Sequence, residues 1–236
     1  MLLTATVARA TLLLALAAEG SLAACGGDEA AGTSTPAAAT TNASTAPGTA
    51  AAIGDADLRE ELLAMLAEDQ AVRTGVAPPG DERTPDELSN AMGAVDAANT
   101  ARITEIFDAH GWPDGALVGE DGSTAAWAIV QHADLQPEIQ QRGLELLRAA
   151  VAAGDASPGD LAYLEDRVRV AAGQPQRYGT QWETDVTGSP VPRTPIEDPA
   201  TVDERRAAAG LATIEEYLVE LQRAFAADPV PTTPSS

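Results

Sequence analysis

Apolar residues recur at helical spacing over most of the chain, and the breaks between those runs carry start and stop signals. From Asp55 to Thr74, Leu58, Leu62, Met65 and Val72 share one face of a predicted helix. Thr84-Pro85 resembles an N-cap followed by proline at the first helical position. A second helix is expected from there to about Ala109, with Leu88, Met92, Val95, Ile103 and Ile106 on one side. Gly111-Trp112-Pro113 ends it, and Gly119-Glu120-Asp121-Gly122 reads as a turn. The third helix is expected from Ser123 to about Asp134. Ala125-Ala126-Trp127-Ala128-Ile129-Val130 leaves it without a polar face, which places it centrally. Pro137 opens a fourth helix ending at Gly154, and Ser157-Pro158 caps a fifth running to about Ala172.

The pattern then changes. Residues 174–196 are rich in Thr, Trp, Tyr, Val and Pro, and predict an irregular β-hairpin with Thr187-Gly188-Ser189 in its middle. Asp198-Pro199 starts a short helix that ends near Gly210. Thr213-Ile214-Glu215-Glu216 is a capping box for the last helix, with Ile214, Tyr217, Leu218 and Leu221 facing inward. The expected fold is mainly α, a bundle of about six or seven helices with one hairpin near residues 174–196.

The N-terminus predicts location. Arg9 precedes the apolar run Ala10 to Leu16, which is shorter than the ~20 residues a membrane span needs. Leu22-Ala23-Ala24-Cys25 follows it as a lipobox, and Cys25 is the only cysteine, so no disulfide competes for it. Residues 1–24 are therefore expected to be a lipoprotein signal peptide, with Cys25 as the lipidation site. Residues 25–54 read as the lipidated Cys and a flexible Ala/Thr/Ser/Pro linker with a reach of ~30 Å. The helical domain is expected over 55–227, where all the aromatic residues lie, and residues 228–236 read as a disordered tail. The predicted location is the extracytoplasmic face of the cell membrane, with the lipid anchor as the membrane contact.

Net charge is −22, and all 14 cationic side chains are Arg. Such a surface repels phosphate backbones and anionic headgroups, which argues against nucleic acid and against direct adsorption to lipid. The sequence holds no nucleophile elbow, P-loop, Rossmann glycine run or His-Glu-x-x-His, and no cofactor or metal is expected.

Several polar residues fall where the helical count calls for apolar ones. Asp69 lies in the middle of the first helix's stripe, with Arg73 at the i+4 position that pairs with it. Asn99 is central on the second helix's apolar face, with Asp96 and Arg102 at its edges. The third helix runs into Gln131 and His132. A buried Asp69 should be met by Arg73 or Arg102, since an unpaired buried carboxylate costs several kcal/mol. These groups form a network that fixes helix register, or wall a ligand pocket, or, if the helical phase is shifted, face water. On the fifth helix, Tyr163, Asp166, Arg167 and Val170 make a second face suited to receive Gln176, Tyr178 and Gln181 of the hairpin. Strand alternation places Tyr178 and Gln181 on opposite faces, unless Gly179 bulges and realigns them.

Several blocks together resemble a bacterial domain-of-unknown-function family common in actinobacteria. The most specific are Ala126-Trp127-Ala128-Ile129-Val130-Gln131-His132-Ala133-Asp134, Leu161-Ala162-Tyr163-Leu164-Glu165-Asp166-Arg167-Val168 and Gln176-Arg177-Tyr178-Gly179-Thr180-Gln181. The resemblance implies no activity. It raises the expectation that these blocks form one site.

Three function classes stay open. The leading one is a surface lipoprotein whose helical domain binds a small ligand or envelope component. The second is a hydrolase using His132 as general base, oriented by Asp69, Asp134 or Asp166. The third is a structural or interaction module.

Overall fold

A computed structural model describes residues 53–227. The expected signal peptide, Cys25, most of the linker and the tail lie outside the described residues.

Helix α1, Ala56–Thr74, starts where the Asp55 side chain accepts from the Leu58 backbone N–H at 2.9 Å. It stops at Gly75, whose left-handed backbone (φ +70°) lets its N–H reach the Ala71 carbonyl. Helix α2, Pro85–His110, opens with a reciprocal capping box between Thr84 and Glu87. Helix α3, Gly115–Gln131, differs from expectation at both ends. The expected Gly119–Gly122 turn is reduced to one non-helical residue, Gly119 (φ +74°), because Asp114 already caps the chain by accepting from the Leu117 N–H. At the far end, the helix stops at Gln131 rather than near Asp134, with His132 as its C-cap. Helices α4, Pro137–Ala153, and α5, Pro158–Ala171, form where proline at the first turn predicts them.

The hairpin is smaller than expected. Strands β1, Trp182–Thr184, and β2, Pro190–Pro192, pair antiparallel in the register Trp182↔Pro192, Glu183↔Val191, Thr184↔Pro190. Two prolines in three residues remove ladder donors from β2, which keeps the pairing short. Residues 174–181 are not strand, so the expected alternation and Gly179 bulge do not apply. A 3-10 turn, Pro199–Thr201, leads into α6, Val202–Ala208. Helix α7, Ile214–Ala227, begins at the expected capping box, where Glu216 accepts from the Thr213 N–H at 3.0 Å and Thr213 Oγ1 accepts from the Glu216 N–H.

Helix α3 is the centre. Gly122 and every residue from Ala125 to Gln131 are buried, and α1, α2, α4 and α5 all pack against it. The core around it joins Leu62, Ile103, Ile106, Leu144, Leu147 and Leu164. Its alanines let neighbouring backbones approach. The tightest approach is at Gly143 of α4, where a Cβ would lie 2.7 Å from Val130 Cγ1.

The irregular segment 174–181 is tied from two sides. From α5, Asp166 accepts from the backbone N–H groups of Arg177 (2.6 Å), Tyr178 (3.1 Å) and Thr180 (3.0 Å), and from Thr180 Oγ1 (3.1 Å). From α6, Arg206 is 1% exposed and donates to the carbonyls of Ala212 at 2.5 Å and Tyr178 at 2.8 Å. Tyr217 of α7 stacks under that guanidinium and donates its hydroxyl to the Thr180 carbonyl at 3.1 Å. Inside the segment, the fully buried Gln176 bonds both backbone groups of Gln181, N–H to Oε1 at 2.7 Å and Nε2 to carbonyl at 2.9 Å.

The Gly143 contact gives a direct test of the packing. Gly143→Ala gains ~1 kcal/mol of helix propensity. It should nevertheless lower stability by about 1–2 kcal/mol, because Val130 is fully enclosed and overpacking costs more. Urea denaturation checks this, and an unchanged or raised midpoint contradicts it.

Candidate functional site

Helical phase places Asp69 inward near the end of α1, and the structure buries it completely. Its carboxylate is supplied by three donors. Arg73 Nε donates to Oδ1 at 3.0 Å, Gln70 Nε2 donates to Oδ2 at 3.1 Å, and His132 Nδ1 lies 2.8 Å from Oδ2. The same Arg73 also pairs with Asp96 of α2. His132 is brought there because α3 ends at Gln131, so the imidazole at its C-cap turns toward α1.

The imidazole ring is largely enclosed, with 8% of its side chain exposed. Burial pushes its pKa below the ordinary histidine value and outweighs the opposing pull of Asp69; the Arg73 and Arg167 charges push the same way as burial. His132 is therefore neutral at pH 7. A neutral imidazole whose Nδ1 faces a carboxylate oxygen at 2.8 Å carries its proton on Nδ1 and donates it there, leaving the Nε2 lone pair free. Nε2 makes no hydrogen bond among the described residues.

A second ion pair continues the cluster. Asp134 receives Arg167 of α5 in a two-pronged contact, Nε at 2.9 Å and Nη2 at 2.7 Å, and Gln140 Nε2 of α4 at 3.0 Å. Burial raises the Asp134 pKa, but the Arg167 hydrogen bonds and charge outweigh it and hold the carboxyl below its usual value. Asp96 goes the other way, raised by burial despite Arg73. Gln140 also donates to the Gln131 carbonyl at 3.0 Å, satisfying a buried carbonyl at the C-terminal end of α3. Gln131 itself turns its amide toward Trp127 Nε1 and the Leu164 N–H.

Asn99 is 8% exposed, and its Nδ2 is buried without a hydrogen-bond partner. It lies one turn along α2 from Asp96. Its neighbour Thr100 meets Gln136 Oε1 at 3.3 Å, just beyond Asp134.

The sequence-predicted residues thus fall into three groups. Asp69, Arg73, His132 and Arg167 converge in one cluster, with Gln131 and Asn99 at its edges. Asp166, Gln176, Tyr178 and Gln181 build the tied segment instead, and Asp166 spends its oxygens on that segment rather than on His132. Arg102 is elsewhere: it pairs with Glu61 at 2.6 Å and Glu105 at 2.7 Å, so Asp69 is met by Arg73 alone of the two expected arginines. The sequence reading did not identify Gln140 or Arg206. Gln140 occupies the stripe Gln140/Gly143/Leu144/Leu147, and Arg206 the stripe Val202/Arg206/Ala209; a polar residue on an apolar face was the signal in both.

Among the described residues, no group of three or more His, Cys, Asp or Glu side chains is placed to hold a metal ion. What the cluster offers is acid–base and hydrogen-bonding chemistry. An oriented neutral imidazole accepts a proton or a donor at Nε2, and an unpaired amide donates.

In comparisons with known proteins, the model of a family of unknown function, DUF6624, matches residues 56–228, and the chain belongs to that family. No curated protein and no solved structure matches it.

Two measurements test the cluster. Asp69→Ala leaves Arg73 and the imidazole N–H without their buried acceptor and should cost about 3–5 kcal/mol in chemical denaturation. A midpoint equal to the parent's contradicts the burial. The second is pH dependence. The folded His132 pKa lies below 6.5, so its contribution to stability is full above pH 6.5. It is lost as pH falls and the unfolded chain takes the proton first. Asp160, pushed up to about 6 by burial and by Glu120, acts in the opposite sense but does so in both proteins. His132→Gln should therefore lose less stability than the parent between pH 7 and pH 5; equal slopes contradict the assignment.

Proposed function

We propose that this DUF6624 member is a lipoprotein held through Cys25 on the extracytoplasmic face of the cell membrane, and that its helical domain binds a small polar ligand at the His132 cluster. The lipobox Leu22-Ala23-Ala24-Cys25 supports the anchor. The observation that carries the binding site is the Nδ2 of Asn99, a buried donor without an acceptor. More than nine in ten buried polar groups are paired, so an orphan donor marks a place where an outside acceptor completes the structure. His132 Nε2, which makes no hydrogen bond among the described residues, adds an acceptor to the same cluster. An amide or a hydroxyl compound offers both an acceptor for Asn99 and a donor for His132.

The oriented imidazole favours a second reading, a hydrolase. Neutral His132 held by Asp69 can take a proton from water at Nε2 as that water attacks, and return it to the leaving group. Asp69 then stabilises the imidazolium between the two transfers.

The anchor and the site have separate tests. Replacing Cys25 with Ala should release the domain from membranes or leave the precursor uncut; unchanged detergent partitioning contradicts the anchor. For the site, the nitrogen-15 resonance of His132 Nε2 is followed against a panel of amides, amino acids and sugars. One class should shift it, and His132→Gln should weaken that class about five-fold, the value of one lost neutral hydrogen bond. No shift with any class, together with a lowered melting temperature as the sole effect of His132→Gln, makes the cluster structural.

A further inference from the structure

A different face of the domain carries an apolar groove that the His132 cluster does not use. It has a volume of about 530 Å³ and runs along α7. One wall is Ile196, Pro199 and Val202, from the segment entering α6. The other is Ile214, Leu218 and Val219 of α7. The floor is fixed rather than soft. Ile196 and Ile214 both press on Gly179, where a Cβ would come within 2.7 Å and 2.9 Å of their Cδ1 atoms, so the tied segment 176–181 braces the groove from below.

The groove is open and its apolar side chains reach solvent. Val219 is 43% exposed, on a helix whose Tyr217 and Leu221 are buried against the domain. Acidic residues flank it. Asp203 and Glu215 line the groove, and Glu216 and Glu220 line a smaller depression beside Val219, together with one cation, Arg223. Two of these four have structural duties: Asp203 accepts from the Ile214 N–H and Glu216 closes the capping box. Glu215 and Glu220 have no hydrogen bond or ion pair among the described residues, although ten of the chain's arginines pair with other carboxylates. Arg223 lies beside Glu220 without pairing with it, and the four carboxylates outnumber it, so the apolar row is complementary to a segment with an apolar stripe and cationic flanks.

We propose that this groove is a docking site for a cationic amphipathic segment of a partner protein, its apolar side chains on Leu218, Val219 and Ile196 and its Lys or Arg flanks against Glu215 and Glu220. The groove extends from Ile214 to Gln222, which at 1.5 Å per residue is ~12 Å, room for two turns of a helix and two or three anchoring side chains. A second copy of this chain brings its own charge of −22 and is repelled. An anionic lipid surface is repelled for the same reason. The proposal is independent of the His132 cluster, and its test does not touch that cluster.

The test uses the full chain carrying Cys25→Ala, and three labelled synthetic peptides followed by fluorescence anisotropy. One peptide is helical with Leu at i and i+4 and Lys on the flanks; one has the same composition with the Leu periodicity scrambled; one replaces Lys with Glu. The first should bind, and added salt should weaken it. The scrambled and acidic peptides should bind at least about ten-fold more weakly, since each lacks one half of the match. In the protein, Val219→Lys should weaken the first peptide about ten-fold, and Glu215→Gln with Glu220→Gln should weaken it and flatten its salt dependence. Glu60→Gln on α1 removes a charge without touching the groove and should leave affinity unchanged. Equal binding of periodic and scrambled peptides, or no effect of Val219→Lys, overturns the proposal. So does binding that appears only once residues 228–236 are removed, or a dimer in sedimentation that Val219→Lys abolishes, because the occupant would then be the chain itself.

Discussion

A carboxylate taken out of water has to receive its hydrogen bonds from the protein, and two aspartates organise this domain by that requirement. Asp69 and Asp166 are both fully buried. Asp69 gathers Arg73, Gln70 and His132, which ties the end of α1 to the end of α3. Asp166 gathers three backbone donors of an irregular segment together with the Thr180 hydroxyl. In each case the packing depends on the aspartate, because removing it strands several donors at once. Neighbouring residues Asp166 and Arg167 link the two arrangements: one faces the tied segment, the other reaches Asp134 beside His132.

Most of this architecture was legible in the sequence because its signals are local. Caps at Asp55, Thr84, Ser157 and Thr213, and proline at the first turn of α2, α4 and α5, fixed the helix starts to within a residue. The burial of Asp69 and Asn99 came from helical phase alone. The start of α3 was missed although its signal is local, the Asp114 cap ahead of Gly115; the other misread elements depend on long-range contacts. Residues 174–181 have the composition of a strand, yet the N–H groups of Arg177, Tyr178 and Thr180 are taken by Asp166 from a helix and the carbonyls of Tyr178 and Thr180 by Arg206 and Tyr217, so pairing is confined to a single bridge between Gln176 and Ile196. No periodicity announces that. The end of α3 was overrun for a related reason: Gln140 and Arg167, both from later elements, satisfy the Gln131 carbonyl and the Asp134 carboxylate, so the chain can leave the helix at His132.

Of the site, the sequence supplied the members but not the grouping. His132 had three carboxylates within conceivable reach, and only the fold shows that Asp134 belongs to Arg167, Asp166 to the tied segment, and Asp69 to the imidazole. Arg102 failed for a similar reason: it sits at the edge of α2's inner face and finds Glu61 and Glu105 closer to water.

The tied segment has two attachments of unlike chemistry. On the α5 side the acceptor is a titratable carboxylate, raised in pKa by burial despite its many donors. On the α6–α7 side the acceptors are backbone carbonyls, and the donors are a guanidinium and a phenol that keep their protons in acid. Acid therefore acts on one attachment and leaves the other intact. A chain driven to low pH keeps residues 178–180 moored to the C-terminal helices while their grip on α5 loosens. Recovery on neutralisation then amounts to closing a hinge that never came off its pin, with no search of the chain for a lost partner.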